Sequence, residues 1–486
     1  MSYDEVYKLS LEKGFFAPGS EIYSDAPAGF WEYGPLGVSL RNRYVDLWRR
    51  ELVRRDQMLE IDGSQVMSKS VFKASGHLDG FADPIVACSK CGTIARADRM
   101  IAERVRITLS ENLADAQYDK LIEENKLTCV NCKGRYGSVR KFNMMFRIGI
   151  GPRDEGAYLR PETCQSIFVD YIRLFKTMRA KLPIAFAQFG KSFRNEISPR
   201  QSLLRLREFY QAEIEVFFNP EQANIPSKKY DGIRDYAITI TREDGSSAKM
   251  TCSELVQHGI VLNWLFAYYL ALVAKFYSKT GIDMSKARFR ELAREERAFY
   301  AASAYDFEVK TSIGWLELVA CNYRSDYDLS AHAKTSGRSL VVEDDNQKVL
   351  PHIFEISMGI DRSLYTILEH SMIKDNGRNL LRLPAYLSPV QVGVFPLVNK
   401  NGIRDMAKQI HEGLKLDYDT IYDSAGSIGR RYRRQDELGT PICITVDYAS
   451  LTDDSVTLRL RDSMGQERIH RNKIGNRISE IISYIA

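Results

Sequence analysis

The sequence predicts an α+β protein assembled from several parts, and three stretches carry that reading. Residues 188–218 read as two strands joined by a loop rich in arginine. Two Cys-x-x-Cys pairs, Cys88/Cys91 and Cys129/Cys132, bracket a polar, charged helical stretch. The last hundred residues alternate strands and helices, the pattern of a small α/β domain. A chain of 486 residues has room for two to four domains at roughly 150 residues each.

Along the chain, residues 1–82 begin with short helical pieces and a turn-rich run at 29–37. From Gly37 an amphipathic helix is expected, with Leu40, Tyr44, Leu47, Trp48 and Leu52 on one face. Its other face carries Arg41, Arg43, Arg49, Arg50, Arg54 and Arg55, which read as a solvated surface. Residues 83–140 hold the cysteine pairs. Four thiolates in two close pairs, each with a nearby glycine, fit the tetrahedral shell of a structural zinc ion. Their separation of 37 residues exceeds ordinary zinc-ribbon spacing, which points to an insertion with its own helix. Residues 141–219 crowd together the groups with chemistry. Residues 220–310 read as a second insertion: a hairpin around Glu243-Asp244-Gly245, an apolar helix at 261–274 and a charged helix at 288–297. Residues 311–383 return to strand and helix, with a strand at 350–357 and a helix at 359–372. A linker at 383–389 leads into the last part, 384–486.

Composition excludes some classes. Net charge is +5 with a pI near 8.6, compatible with a nucleic-acid partner without requiring one. The apolar run at 261–274 is stopped by Lys275, short of the ~20 residues a spanning helix needs, so it reads as a buried core helix. The acidic, polar start Met1-Ser2-Tyr3-Asp4-Glu5 predicts no secretory leader. Eight cysteines in a long chain of this kind suggest a reducing cytoplasm and a metal, not disulfides.

The string Gln188-Phe189-Gly190-Lys191-Ser192-Phe193-Arg194-Asn195-Glu196-Ile197-Ser198-Pro199-Arg200, running on to Arg205, Phe209 and Glu213, is the most telling. Arg194 and Glu196 are two residues apart, so on a strand they would share a face. Ala212, Ile214, Val216 and Phe218 form an apolar face, while Phe209, Gln211, Glu213 and Glu215 form an aromatic and acidic one. A purely solvated face would not require such a set.

These residues resemble motif 2 of the class IIa aminoacyl-tRNA synthetases, and the wording is most similar to the glycyl-tRNA synthetases of the archaeal and eukaryotic α2 type. Tyr33-Gly34-Pro35-Leu36-Gly37 before a helix resembles motif 1, the dimer-forming element of that family. Phe354-Glu355-Ile356-Ser357-Met358-Gly359 and the helix after it resemble motif 3. Residues 424–441, with Arg430, Arg431, Tyr432, Arg433 and Arg434, resemble the family's anticodon-binding domain. The resemblance covers nearly the whole chain. It implies an antiparallel catalytic sheet flanked by helices, a zinc-binding insertion held by Cys88, Cys91, Cys129 and Cys132, and a C-terminal mixed α/β anticodon-binding domain.

It also implies a reaction: glycine is activated with ATP to glycyl-adenylate and pyrophosphate, then passed to the 3′ end of tRNA(Gly). Arg194 would grip the α-phosphate and Arg362 the γ-phosphate. Glu196 would meet the adenine edge, Phe209 would stack on the ring, and Arg205 would add a second contact to the nucleotide. Residues 197–206 would also meet the acceptor end. Glycine offers only its ammonium and carboxylate as handles, so the family gathers carboxylates around the ammonium. Glu162, Glu213 and Glu355 match, with Ser357, Arg324 and Ser325 as further contacts. Mg²⁺ should bridge the phosphates; Glu343 is the one carboxylate considered for it. The resemblance further implies a cytoplasmic homodimer with no membrane association. Cys164, Ser166, Ile356 and Met358 depart from the family's usual Ala, Gly, Pro and Phe, which predicts altered packing around an intact set of charged ligands. Three alternatives are a class IIa enzyme for another amino acid, a catalytically inert nucleic-acid-binding relative, and a zinc-dependent nucleic-acid module.

Overall fold

The computed structural model describes every residue except 1, 108, 110–112, 200, 225–226, 376, 401 and 484–486. Arg200 of the basic loop thus lies outside the described residues.

The body is built on a nine-stranded sheet. Its strands are β1 (Leu59–Ile61), β2 (Ile184–Phe193), β3 (Glu208–Phe218), β4 (Ala237–Thr241), β5 (Ser247–Thr251), β6 (Ala287–Glu291), β7 (Ser303–Thr311), β8 (Gly314–Ser325) and β9 (His352–Gly359). The order is β5-β4-β6-β7-β8-β9-β3-β2-β1. All neighbours are antiparallel except β4 with β6 and β1 with β2. The centre of the sheet is therefore antiparallel, as the resemblance implies.

Period-two alternation decides which side each residue takes. On β3, Ala212, Ile214, Val216 and Phe218 enter the main core, while Gln211, Glu213 and Glu215 are buried on the other face. Helices α1 (Pro35–Trp48), α3 (Trp264–Tyr277) and α4 (Ile360–Ser371) pack into that core, and α2 (Gln165–Thr177) lies on the acidic side. The predicted face of α1 is buried, including Leu52 in the π-helical turns beyond it. Each such Leu or aromatic contributes about 1.5–3 kcal/mol of burial. The apolar run forms α3, whose residues join the same core. No helix among the described residues is long and apolar enough to cross a membrane.

Two local expectations change. The arginine face of α1 is not simply solvated: Arg41 lies 4.5 Å from the Tyr210 ring, Arg43 pairs with Asp419, and Arg49 pairs with Glu60 at 2.9 Å. The charged helix at 288–297 is instead strand β6 followed by a short 3₁₀ turn. Charge density masked a period of two there. Phe289 goes into the core while Arg288 and Arg290 both reach Glu308 across β7. Together, β4, β5, β6 and α3 extend the main sheet and its core, so residues 220–310 are continuous with the body.

Residues 82–143 form a small lobe with its own three-stranded sheet and a core of Val86, Ala97, Ile101, Tyr118, Ile122 and Val139. The C-terminal part has five strands: β10 (Val392–Pro396), β11 (Thr420–Tyr422), β12 (Ile442–Val446), β13 (Ser455–Leu460) and β14 (Gln466–His470). Their order is β11-β10-β12-β13-β14, parallel on one side of β12 and antiparallel on the other. Helix α5 (Ile428–Leu438) fastens this part to the body. Its buried Asp436 accepts from both Arg378 and Arg459 at 2.9 Å. Arg461 donates to the carbonyls of Leu381, Leu383 and Gly439.

Candidate active site

Strand register gathers the acidic groups. Glu213 on β3 stands opposite Ser357 on β9, Glu215 stands opposite Glu355, and Asn322 on β8 stands opposite Glu355. Glu162 comes from the loop before α2. Glu162, Glu213 and Glu355 are all at least nine-tenths buried. Ligand atoms of Glu162, Cys164 and Glu355 lie within 4.8 Å of one another, and so do those of Cys164, Glu213 and Glu215. The acidic trio is therefore one cluster around Cys164.

Each member is held differently. Glu213 accepts from Thr163 at 2.6 Å and from Ser357 at 2.8 Å. Glu355 accepts from Asn322 at 2.6 Å and from Arg324 at 2.7 Å. Glu162 takes all its partners on one oxygen, Oε1: Gln165 at 2.8 Å, Cys164 at 3.0 Å, and His77 at 3.4 Å. Its Oε2 has no partner among the described residues, and is the one carboxylate oxygen of the trio left for a cationic ligand.

Arg324 is the internal counter-ion. Fully buried, it forks onto Asp328 at 2.7 and 2.8 Å, pairs with Glu355, and lies 3.9 Å from Glu162 and 3.7 Å from the Tyr300 ring centroid. The sequence suggested Arg324 as a direct substrate contact; here its guanidinium stands inside the cluster, holding Asp328 and Glu355. Ser325 does not join the set. Its hydroxyl donates to the carbonyl of Arg324 at the strand's left-handed end.

Burial, with repulsion from Glu162, raises Glu213. Burial also lifts Glu355 to about 8, against Arg324 and with help from Glu213 and Glu162. Burial and Glu355 push Glu215 well up, and neither of its oxygens has a protein partner. Glu162 alone moves the other way: burial opposes its ionisation, but His77 and Arg324 hold it well below the ordinary value. One ionised carboxylate with an open oxygen, ringed by others reluctant to ionise, is a site for a single compact cation.

The departures from family wording are accommodated. Cys164, Ser166, Ile356 and Met358 are all buried. Ser166 accepts from the Gln188 amide at 2.7 Å, donates to the Thr163 carbonyl at 3.1 Å, and has room because residue 63 is glycine, where a Cβ would come within 2.3 Å of the Ser166 hydroxyl.

Beside this niche lies a basic trough. Strand β2 stops at Phe193, so Arg194 and Glu196 sit just past its end, not on one strand face as the spacing suggested. A tight turn, Glu196 N–H to the Arg194 carbonyl, breaks the alternation. Arg194 donates to the carbonyl of Pro161 at 3.1 Å, next to Glu162, and its guanidinium lies 5.3 Å from the Phe209 ring centroid. This bond physically joins trough to niche. Glu196 is held by Arg205 at 2.5 Å. Arg362, in the first turn of α4, donates to the Leu204 carbonyl and to Glu317, each at 3.2 Å. Its neighbour Asp361 accepts instead from Tyr33 and from the Tyr210 amide, so it does not relieve Arg362. Close by on β7, burial and Glu317 raise Asp306 to about 8. Glu343 lies on a separate two-stranded hairpin, apart from the nine-stranded sheet.

The four cysteines converge as predicted, with all sulfurs within 4.8 Å. Cys88 and Cys132 are 3.5 Å apart, and Cys91 and Cys129 are 3.6 Å apart. The two turns differ, however. Gly92 takes the left-handed position in the first, but Lys133 takes it in the second. Gly134 serves another purpose: a Cβ there would lie 3.0 Å from the Cys88 sulfur and 2.7 Å from Lys90. A four-sulfur set this tight fits Zn²⁺. The Cys129→Ser variant should lose the metal and make the lobe sensitive to protease, read by metal analysis and limited proteolysis; full zinc content would contradict the assignment.

In the C-terminal part, Arg430 and Arg433 of the four arginines on α5 are exposed. Arg431 is buried against the carbonyls of Pro396, Leu397 and Gly426, and Arg434 pairs with Asp423. Tyr432 is tied to Thr445 at 2.7 Å. The helix buries Arg431 and half-buries Tyr432, while Arg434 stays 41% exposed at its side chain, so three of the four arginines remain at the surface.

Sequence reasoning assigned no role to His77, Thr163, Gln165, Asn322, Tyr300, Asp328 or Glu215. Asn322 was legible, since it precedes Arg324 by two on one strand; His77 and Tyr300 arrive through tertiary contacts that no local pattern announces.

The family described as "tRNA synthetase class II core domain (G, H, P, S and T)" matches residues 146–371, and "Anticodon binding domain" matches 391–481. A glycine--tRNA ligase of Methanothrix thermoacetophila is 36% identical, over 99% of this chain and 97% of its own length. The chain belongs to the glycine--tRNA ligases. Another member, from Pyrococcus abyssi, is 36% identical over 99% of this chain and 98% of its own. Among solved structures, a threonyl-tRNA synthetase of Cryptosporidium parvum Iowa II, titled for its RNA-binding domain, aligns with TM-score 0.61 at 18% identity over 98% of each chain. A Cryptosporidium parvum prolyl-tRNA synthetase, complexed with halofuginone and AMPPNP, aligns with TM-score 0.59 at 11% identity over 99% of this chain and 75% of its own. At these identities the two structures speak for the fold of the glycine--tRNA ligase chain alone.

Proposed function

We propose that this chain joins glycine to ATP, forming glycyl-adenylate and releasing pyrophosphate, and then passes glycine to the 3′ hydroxyl of tRNA(Gly) with release of AMP. The observation that carries the reading is the open Oε2 of Glu162 in a buried acidic niche tied to Arg194 through Pro161. The ammonium of glycine would take that oxygen, with Glu213, Glu355 and Ser357 lining the niche. The amino acid's own carboxylate attacks the α-phosphorus, so no protein base is needed. Arg194 faces the charge that grows on the α-phosphate, which a planar guanidinium can grip through two oxygens. Phe209 offers a stacking face beside it. Glu196 would turn to the adenine edge, with Arg205 sharing its charge between Glu196 and the nucleotide. Arg362 would serve the γ-phosphate.

Magnesium would sit with the phosphates beside Arg362, where Glu317, paired with that arginine at 3.2 Å, is a carboxylate at hand to share it. Bound there it would neutralise the phosphates. Zinc would serve the lobe's fold through Cys88, Cys91, Cys129 and Cys132. We place the protein in the cytoplasm, as the family resemblance implies. We assign the homodimer contact to the region of Tyr33–Gly37, as the family resemblance implies, and the tRNA contact to the C-terminal part and the 197–206 loop.

The Glu213→Ala variant tests the niche. It strips Thr163 and Ser357 of their shared acceptor and removes one wall of the niche. Glycine-dependent pyrophosphate exchange should fall at least 100-fold, from an expected loss of about 3 kcal/mol or more, with the fold retained by circular dichroism. Normal exchange rates would refute the cage.

A further inference from the structure

We propose that His77 is a positioning residue for amino-acid recognition: it pins Glu162 through one oxygen so that the other stays open to an ammonium group. The proposal rests on the glycine-activating reading of the niche and names a further part of its machinery.

Ser75, His77 and Glu162 form a buried relay, 1%, 3% and 5% exposed. Ser75 Oγ lies 2.8 Å from His77 Nδ1, and His77 Nε2 lies 3.4 Å from Glu162 Oε1. The proton positions follow from chemistry. An ionised carboxylate only accepts, so Nε2 carries a hydrogen. Whenever the ring is neutral, Nδ1 accepts and the Ser75 hydroxyl donates to it. Ser75 thus selects the tautomer that serves Glu162. The ring cannot swing away. Phe72, Phe81 and Phe299 meet it edge-on, with centroids at 6.1, 5.5 and 6.4 Å. Asn143 holds the backbone at the His77 and Leu78 carbonyls.

Without this donor, Glu162 Oε1 would keep only Gln165 and the weak thiol donor Cys164, and the carboxylate could rotate toward Arg324, 3.9 Å away. Collapse onto Arg324 would close the niche. His77 does not touch substrate; it acts through Glu162.

Three variants separate positioning from packing. His77→Phe keeps an aromatic ring among Phe72, Phe81 and Phe299 but removes the donor. His77→Gln keeps an amide donor near Nε2 but loses the ring. Ser75→Ala keeps the ring and frees its tautomer. In glycine-dependent pyrophosphate exchange, His77→Phe should raise KM for glycine about 10- to 100-fold, the range for losing a hydrogen bond to a charged group, with KM for ATP unchanged. His77→Gln should restore much of the loss, and Ser75→Ala should give a smaller rise. A wild-type KM for glycine in His77→Phe would overturn the proposal. So would a joint rise in both KM values and a lower melting temperature in His77→Gln than in His77→Phe, the order a packing role predicts. Absence of glycine-dependent exchange in the wild-type protein would instead remove the reading beneath it.

Discussion

The Arg324→Ala variant is expected to lose on the order of 3–5 kcal/mol of folding stability, the range for stripping one partner from a buried ion pair. Asp328 and Glu355 are 0% and 2% exposed at their side chains, and both lean on this guanidinium at 2.7 Å. No other described cation reaches Asp328. Arg324→Lys should rescue little, because an ammonium cannot fork onto Asp328 while reaching Glu355. Urea titration measures the loss. The pH dependence carries a sign. Folding raises Glu355 from an ordinary 4.5 to about 8. A carboxyl raised by folding contributes stability that is full below pH 4.5 and lost as pH rises toward 8. With Arg324 gone, carboxylates are harder to ionise, so the variant's stability should fall more steeply across that window than the wild type's. A flat comparison would mean that the cluster is relieved by water, not by the arginine.

The Arg194→Ala variant should lower the rate of glycine-dependent pyrophosphate exchange about 100- to 1,000-fold, the size seen when one preorganised donor to a developing charge is removed. The effect should fall on kcat more than on KM for glycine, because Arg194 faces the α-phosphate and reaches the niche only through the Pro161 carbonyl. Arg194→Lys should recover part of the rate, since it keeps charge but not the planar fork. Unfolding should be nearly unaffected: the residue is half-buried, and its lost contact with Phe209 is modest. A large rise in KM for glycine with kcat intact would reassign Arg194 to the niche.

Much of the fold was legible in the sequence because the signals were local. The face of Ala212, Ile214, Val216 and Phe218 set β3, and the two cysteine pairs announced their own convergence. The acidic trio was legible only through family resemblance, since Glu162, Glu213 and Glu355 are far apart in the chain. Strand register brings Glu213 and Glu355 together, β3 beside β9, and the loop before α2 adds Glu162. The misreadings share a physical cause. At 288–297 charge density looked helical although Phe289 alternates into the core. At Arg194 the alternation was extrapolated one turn too far. On α5 the 3.6-residue period turns Arg431 inward, which a count of arginines does not show. The part Arg324 plays as counter-ion to Asp328 and Glu355 was not legible, because both partners reach it through the fold.

The most direct test of the central claim is amino-acid-dependent pyrophosphate exchange by the purified wild-type protein, run across a panel of amino acids. A niche with one open carboxylate oxygen, joined through Pro161 to a basic trough, predicts strong exchange with glycine and little with alanine, serine, threonine or proline. Exchange driven by another amino acid, or none with glycine while tRNA still binds, would contradict it.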